Sequence, residues 1–352
     1  MSASSSDMSR RRLLLGGAAV GAGVLLAGCT SNDTTDKDKE AETQVKTGAS
    51  ADTPGKAITI GFSAPAADHG WIGAITANAK AQAAKFSEVT LKVVDAGKDA
   101  PAQIAALEAL IASKPDAIVL LPQDGAQLTA VGKKATDAGI IVINLDREFS
   151  DPAASFCLIK GDNYGMGIAA GHYVGEKLKG KTDAVIGEIP GIDELQLTKD
   201  RSRGFADALK GYGLTVKHRV PAGFTVQTGQ SAAANLLQAA PKLDAVWNHD
   251  DDQGVGVLAA IQQAGRKEFF MVGGAGSRDA MDHIKAGDTV LTATVTYPPS
   301  MASSAVILAR LAANGRGMGD LVELQVPKQI VLQSETITKD NVDKYLPLGF
   351  KS

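Results

Sequence analysis

The alternation of short apolar runs with longer amphipathic stretches from residue 57 onward constrains the fold most strongly. The runs 117–121 and 140–145 are almost wholly apolar. Because strands buried on both faces are apolar throughout, such runs separated by helices predict a parallel sheet covered on both sides. The first half is predicted to have strands at 57–62, 91–95, 117–121 and 140–145, and helices at 71–86, 101–113 and 126–138.

The same pattern restarts after residue 160 and gives a second unit of similar size. It predicts helices at 166–178, 199–210, 227–239, 254–264, 279–286 and 300–314, and strands at 183–189, 214–220, 245–248, 269–272, 291–296 and 328–331. Two successive α/β units predict two Rossmann-like lobes, each a parallel sheet flanked by helices. A single closed barrel is the alternative, because a generous count of the segments reaches eight strand–helix units.

The first 28 residues have the pattern of an export signal. Three arginines at 10–12 precede a short stretch rich in Gly and Ala, which ends in Leu26-Ala27-Gly28-Cys29. This order predicts a twin-arginine lipoprotein signal peptide over 1–28 and a lipid on Cys29. An ordinary anchor helix with a chance cysteine is the alternative, although the stretch is short for a membrane span. We expect a protein tethered to the extracytoplasmic face of the cell membrane, in the periplasm or at the cell surface, by twin-arginine or general export.

The composition after the signal limits the possible partners. Without residues 1–28 the chain has 33 basic and 38 acidic residues, a net charge of −5, which gives no basic surface for nucleic acid. If Cys29 carries a lipid, Cys157 has no disulfide partner, and its apolar surroundings indicate an inert buried thiol. Residues 29–56, the lipidated cysteine and a polar segment, are predicted to form a disordered linker.

Polar and aromatic residues follow several of the predicted strands. In open α/β sheets ligands bind beyond the carboxyl ends of the strands. Carboxylates pair with hydroxyls, an arginine donates in a fixed fork, and flat rings cover the apolar faces of a sugar. The set therefore favours a neutral polyhydroxyl ligand. Its members are Asp68, His69, Trp71, Asp146, Arg147, Phe224, Asp250 and Tyr297.

Four segments carry a family resemblance: 145–147 (LDR), 161–163 (GDN), 201–205 (RSRGF) and 236–252, from a Leu-Leu pair to an acidic triplet. In these segments, and in its spacing from 58 to about 331, the chain resembles the ribose-type periplasmic sugar-binding proteins of ABC importers. The resemblance implies a periplasmic binding protein type 1 fold, with two lobes that close on a ligand about three hinge strands. It places the crossings near Gly161, Tyr297 and Val326. The N-terminal lobe would be 57–160 plus 298–325, and the C-terminal lobe 161–297 plus 326–352.

The resemblance also implies roles for individual residues. Asp146 and Arg147 would hydrogen-bond sugar hydroxyls, while Trp71 and Phe224 would stack on the sugar. Asp250 stands where the family has an Asn, and Asp68 lies near an amide-bearing position.

The departures from the family pattern indicate a changed specificity. They are Leu121 in place of an Asn, Gly274-Ala275 in place of Phe-Asp, Tyr297 in place of a Gln, and Lys199 in place of an Arg. A polar site rejects a ligand that leaves its buried groups unpaired. We therefore expect a pentose, hexose or polyol other than ribose.

Several residues have a structural alternative. Trp71 could be a core anchor, Asp146 and Arg147 could form a salt bridge, and His69 could serve as a cap or as a ligand contact. Carboxylates at a helix N-terminus are favourable in themselves, which fits Asp251 and Asp252 better than Asp250. No regular second set of ligands supports a metal at His249, and the glycines at 273–276 lack the context of a dinucleotide turn, so we expect no metal and no cofactor.

No catalytic constellation is apparent in the sequence, and the one dense carboxylate cluster is contiguous rather than set across a bond. We therefore expect a monomeric, non-enzymatic, lipid-anchored binding protein that delivers a monosaccharide or polyol to an ABC permease. One alternative is a sensor that presents a sugar or autoinducer to a membrane receptor kinase. Another is an extracytoplasmic carbohydrate enzyme of barrel type.

Overall fold

The structure, a computed structural model, describes residues 53–318 and 325–352. The expected signal peptide, the lipidated Cys29 and the linker as far as residue 52 lie outside the described residues. At the described end of the linker, the carbonyl oxygen of Thr53 accepts hydrogen bonds from Arg310 at 2.8 Å and Arg316 at 2.6 Å. Among the described residues, none of the helices combines the length and the apolar character that a membrane span requires.

The first sheet has six parallel strands in the order β11-β5-β4-β3-β1-β2. Its strands are β1 (Ile58–Ala64), β2 (Val89–Asp95), β3 (Ala117–Leu120), β4 (Ile141–Leu145), β5 (Cys157–Gly161) and β11 (Gln329–Leu332). Its helices are α1 (Gly70–Ala83), α2 (Ala100–Ala112), α3 (Gly125–Asp137) and α9 (Met301–Ala313). All four residues of β3 are buried, as expected for a central strand covered on both faces.

The second sheet repeats this plan in the order β12-β10-β9-β8-β6-β7. Its strands are β6 (Ile186–Ile189), β7 (Val216–Arg219), β8 (Ala245–Asn248), β9 (Phe270–Ala275), β10 (Leu291–Thr296) and β12 (Thr336–Thr338), the last antiparallel to β10. Its helices are α4 (Asn163–Lys177), α5 (Gln196–Lys210), α6 (Val226–Ala239), α7 (Asp251–Gln263), α8 (Arg278–Ala286) and α10 (Val342–Tyr345). Two open sheets confirm the predicted fold class and exclude the closed barrel.

The chain passes between the sheets after β5, after β10 and between β11 and β12. The third passage differs from the expectation of a crossing near Val326. Residues 329–332 pair in parallel with β5, from Gln329 opposite Leu158 to Leu332 opposite Gly161, and so belong to the first sheet. The chain therefore leaves that sheet only after Leu332, and the predicted boundary at 326 was wrong. The pairing depends on β5, which contains the apolar run around Cys157.

Candidate ligand-binding site

A narrow cavity of about 20 Å³ lies where the carboxyl ends of the two sheets face each other. Side chains from both lobes line it. They are His69, Trp71, Asp146, Arg147, Leu197, Arg201, Phe224, Asp250, Ala275 and Tyr297. Seven of the nine predicted site residues are in this set, and only Asp68 and Lys199 are not.

Aromatic rings form much of the wall. The Trp71 side chain is buried, its Nε1 donates to the Tyr297 carbonyl oxygen at 2.9 Å, and the two ring centroids are 5.7 Å apart. Trp71 is therefore both a core anchor and a wall of the cavity. Phe224 lies against Gly191, where a Cβ atom would come within 1.9 Å of the ring. His69 lies opposite, with its ring centroid 6.4 Å from that of Phe224.

Backbone strain is concentrated at this site. Of the four non-glycine residues in the described ranges with positive φ, three line the cavity: Asp146 (65°), Phe224 (65°) and Ala275 (95°). Such conformations cost about 1–3 kcal/mol each and persist where the surrounding structure imposes them. The main chain is therefore held in unfavourable geometry in order to direct these residues at the cavity.

Asp146 and Tyr297 form the polar centre of the cavity. The Tyr297 hydroxyl donates to the Asp146 carboxylate and accepts from Asn163 Nδ2 at 3.1 Å. The ring rests on Gly161, where a Cβ atom would come within 2.1 Å of it. Burial and the Asp146 charge raise the pKa of Tyr297, so the phenol stays protonated and remains a donor.

Two guanidinium groups reach the cavity. Arg147 donates to the carbonyl oxygens of Gln123 at 2.6 Å and Pro122 at 3.3 Å rather than to Asp146, while its buried Nε has no hydrogen-bond partner among the described residues. Arg201 donates to Asn163 Oδ1 at 2.9 Å and lies 4.5 Å above the Tyr297 ring. Arg147 thus brings an unpaired donor to the site, whereas Arg201 supports the Tyr297 ring.

The three consecutive aspartates at the start of α7, Asp250 to Asp252, have three different roles. Asp250 caps the helix by accepting from the amides of Asp252 at 2.8 Å and Gln253 at 3.1 Å, and it lines the cavity. Burial and the Asp252 charge raise the pKa of Asp250 to about 7. Asp251 joins α7 to the sheet by accepting from Gly274 N at 2.9 Å, Ser277 N at 2.8 Å and the Thr294 hydroxyl.

Asp252, in contrast, contacts the other lobe, because its Oδ2 accepts from the Trp71 amide at 2.8 Å. The simple helix-terminus explanation of Asp251 and Asp252 is thus incomplete, since both carboxylates bind groups outside α7. In the described ranges, no group of three or more His, Cys, Asp or Glu side chains is placed to hold a metal ion.

The family follows from comparison with known proteins. Residues 60–317 match the family model described as a periplasmic binding protein domain. The chain belongs to the periplasmic binding protein family. Among its relatives, a ribose import binding protein of Bacillus subtilis (strain 168) is 28% identical over 280 residues, which cover 80% of this chain and 88% of that protein. A galactofuranose-binding protein of Escherichia coli (strain K12) is 30% identical over 256 residues, which cover 70% and 80% respectively.

The fold is also similar to that of a solved structure. A crystal structure from Mycobacterium smegmatis in complex with β-D-fucofuranose has a TM-score of 0.75 and 27% identity, and the match covers 83% of this chain and 94% of that one.

Two predicted site residues of this periplasmic binding protein lie outside the cavity. Asp68 is exposed, and its carboxylate bonds to His69 Nδ1. Burial lowers the pKa of His69, but the bond to Asp68 and the charges of Asp250 and Asp252 raise it on balance. Lys199 is exposed and lines a neighbouring cavity with Glu194. It was expected in place of a family arginine, but the side chain of α5 that lines the cavity with a guanidinium is Arg201.

The structure also revises the significance of the departures from the family pattern. Leu121 is fully buried in the hydrophobic core and does not line the cavity, whereas Ala275 and Tyr297 do. Leu197 and Arg201 also line the cavity, although neither was among the site residues predicted from the sequence. The only signal for Arg201 was its place in the segment 201–205 that carried the resemblance.

Proposed function

We propose that the protein is the lipid-anchored, extracytoplasmic solute-binding subunit of an ABC importer, and that it binds a monosaccharide or polyol other than ribose. The observation that carries the proposal is the cavity shared by both lobes. The side chains that line it together include the rings of Trp71 and Phe224, the carboxylates of Asp146 and Asp250, and Arg147, whose Nε has no hydrogen-bond partner in the described part of the chain. Rings with carboxylates and a guanidinium match the alternating apolar and hydroxyl-bearing faces of a sugar.

Ligand binding would be coupled to closure of the two lobes. A ligand between Asp146 and Arg147 on the first lobe and Phe224 and Asp250 on the second gains its full contacts only when the lobes are together. A ligand shifts an equilibrium by its differential affinity for the two states, so the bound sugar would favour the closed form. The closed rims would then form the surface that the permease binds, without any chemical change in the ligand.

The relatives support a sugar or polyol without fixing which one. One is named for ribose import, another for galactofuranose, and the M. smegmatis structure contains β-D-fucofuranose. We favour a ligand other than ribose because Tyr297 and Ala275, which depart from the ribose-type pattern, both line the cavity. The Tyr297 hydroxyl already donates to the Asp146 carboxylate, so that less of this carboxylate can accept from a sugar hydroxyl.

Isothermal titration against D-ribose, D-galactose, L-arabinose, xylitol and myo-inositol tests the ligand class. We expect at least one of the last four to bind at micromolar concentration or below, and D-ribose to bind more weakly. The sugar proposal is wrong if none binds more tightly than millimolar while an amino acid or nucleoside does.

The anchor and the role in import need separate tests. Cys29→Ala should abolish incorporation of labelled palmitate and release the protein from the membrane fraction; continued labelling would contradict the lipid anchor. Deletion of the gene in the native bacterium should abolish uptake of the sugar that binds. Unchanged uptake together with a lost transcriptional response would indicate a sensor instead.

A further inference from the structure

Helix α1 of the first lobe receives its N-terminal cap from the second lobe. The residue before the helix, His69, makes no capping bond with its side chain. The amide of Trp71 lies in the first turn, where an amide has no acceptor within its own helix. It donates to Asp252 Oδ2 at 2.8 Å, and this bond joins residues 181 positions apart.

The fit around this bond is close. Asp252 is only 2% exposed. A Cβ atom on Gly70 would lie 2.3 Å from the Lys351 carbonyl oxygen and 2.7 Å from Asp252 Oδ1, both in the second lobe. At Gly73, in the same helix, the nearest atom to such a Cβ is 4.0 Å away. Gly70 is therefore needed to give space at the contact between the lobes.

We propose that Asp252 is a positioning residue for ligand binding. It does not line the cavity, but it holds the N-terminus of α1, and the ring of Trp71 is part of the cavity wall. When the lobes separate, water replaces both partners, so the bond stabilises only the closed form. Asp252 thus strengthens binding through Trp71 without touching the sugar. This inference rests on the proposed function.

The expected size of the effect follows from the type of bond. Loss of a carboxylate cap from a helix N-terminus typically changes an equilibrium constant by about tenfold. Because Asp252 acts on the closed form alone, the whole effect should appear in the fraction of closed molecules and in the rate at which the sugar leaves.

Single-molecule fluorescence energy transfer between dyes on the two lobes tests the proposal. Cysteines can replace the exposed Ala109 in α2 and Ala234 in α6, in a Cys29→Ser background. The buried Cys157, whose pKa is raised by burial to about 11, should not take a dye. Closure is measured without sugar and with D-ribose, D-galactose, xylitol and myo-inositol, for the wild type, Asp252→Ala and Asp252→Asn.

Asp99→Ala is the matched control, because Asp99 caps α2 through a bond of the same length, 2.8 Å to the Ala102 amide, within the first lobe. We expect Asp252→Ala to lower the ratio of closed to open molecules about tenfold, with and without sugar, and to accelerate sugar release. Asp252→Asn keeps an acceptor oxygen and should recover most of the closed fraction. Asp99→Ala should lower the thermal unfolding midpoint without changing closure.

An unchanged closed fraction in Asp252→Ala would overturn the proposal, as would an equal loss of closure in Asp99→Ala. The sugar-free comparison keeps the two hypotheses apart. If none of the four probes closes the wild type, the sugar proposal fails, while the sugar-free ratio still decides the role of Asp252.

Discussion

The cavity has two walls, one from each lobe, and their polar side chains are held in different environments. On the first lobe, Asp146 and Arg147 are held by hydrogen bonds to hinge and loop groups. On the second lobe, burial raises the pKa of both Asp250 and Asp252, and the Asp252 charge raises that of Asp250 further. The first wall should therefore supply fixed hydrogen-bonding contacts, and the second should respond to pH and to closure.

Removal of the Asp146 carboxylate should have the largest effect. Asp146→Ala loses the acceptor for sugar hydroxyls and leaves the Tyr297 hydroxyl without its partner, so affinity should fall about 100-fold or more in isothermal titration. Asp146→Asn, which tolerates positive φ, should keep the fold and lose less. Equal affinity of Asp146→Ala and the wild type, with an unchanged unfolding midpoint, would remove Asp146 from the site.

The contact between the walls can be blocked with one methyl group. Gly70→Ala should hinder closure, because its Cβ would approach Lys351 and Asp252, and should weaken binding of the best panel sugar about tenfold. Gly73→Ala adds the same atom to the same helix without a close neighbour and should bind like the wild type. If the two variants bind alike, the fit at Gly70 does not limit closure.

The second wall should make stability depend on pH. The pKa of Asp250 is raised to about 7, whereas an unfolded aspartate titrates near about 4. Between these values the folded chain holds a proton that the unfolded chain has released, so the contribution of Asp250 is full below about pH 4 and is lost by about pH 7. His69, whose pKa is also raised, acts in the same direction.

Asp250→Asn should therefore reduce the fall in thermal unfolding midpoint between pH 5 and pH 8, by about 2–4 °C. The charged and polar groups that face Asp250 are Asp252, His69 and Arg201, and they remain in the variant. An undiminished fall in the variant would show that other groups control the pH response.

Lys199 should contribute least. Lys199→Ala should change the affinity by less than about twofold, as is usual for exposed side chains. Arg201→Lys should weaken binding more, since a lysine cannot keep both the bond to Asn163 and the stacking on Tyr297. A larger effect of the Lys199 change in isothermal titration would contradict the placement of Arg201, rather than Lys199, at the cavity.

Most of the strands and much of the candidate site could be predicted from the sequence. The apolar runs identified most of the strands, and the groups after their carboxyl ends included Trp71, Asp146, Phe224 and Asp250, because parallel strands carry loops to one edge. Arg201 was missed because Lys199 lies two positions earlier on α5, and each residue advances about 100° around a helix. This rotation determines whether a side chain of α5 points to solvent or to the cavity.

Other features depend on contacts between distant segments. β11 pairs with β5, Asp252 caps α1, and Gly161 gives space to the Tyr297 ring. No local periodicity encodes these pairs, since each joins elements that are far apart in the chain.

The chain contains two tryptophans, and their positions make intrinsic tryptophan fluorescence a measure of lobe opening. Trp247 lies within the second lobe, with its ring centroid 4.7 Å from Phe205 and 3.8 Å from His249. Trp71 bonds to the carbonyl of Tyr297 and, through its amide, to the opposite lobe. Opening would expose the Trp71 indole to water, whereas Trp247 would stay buried. A change of tryptophan fluorescence on addition of sugar would therefore come from Trp71, and Trp71→Phe would abolish it.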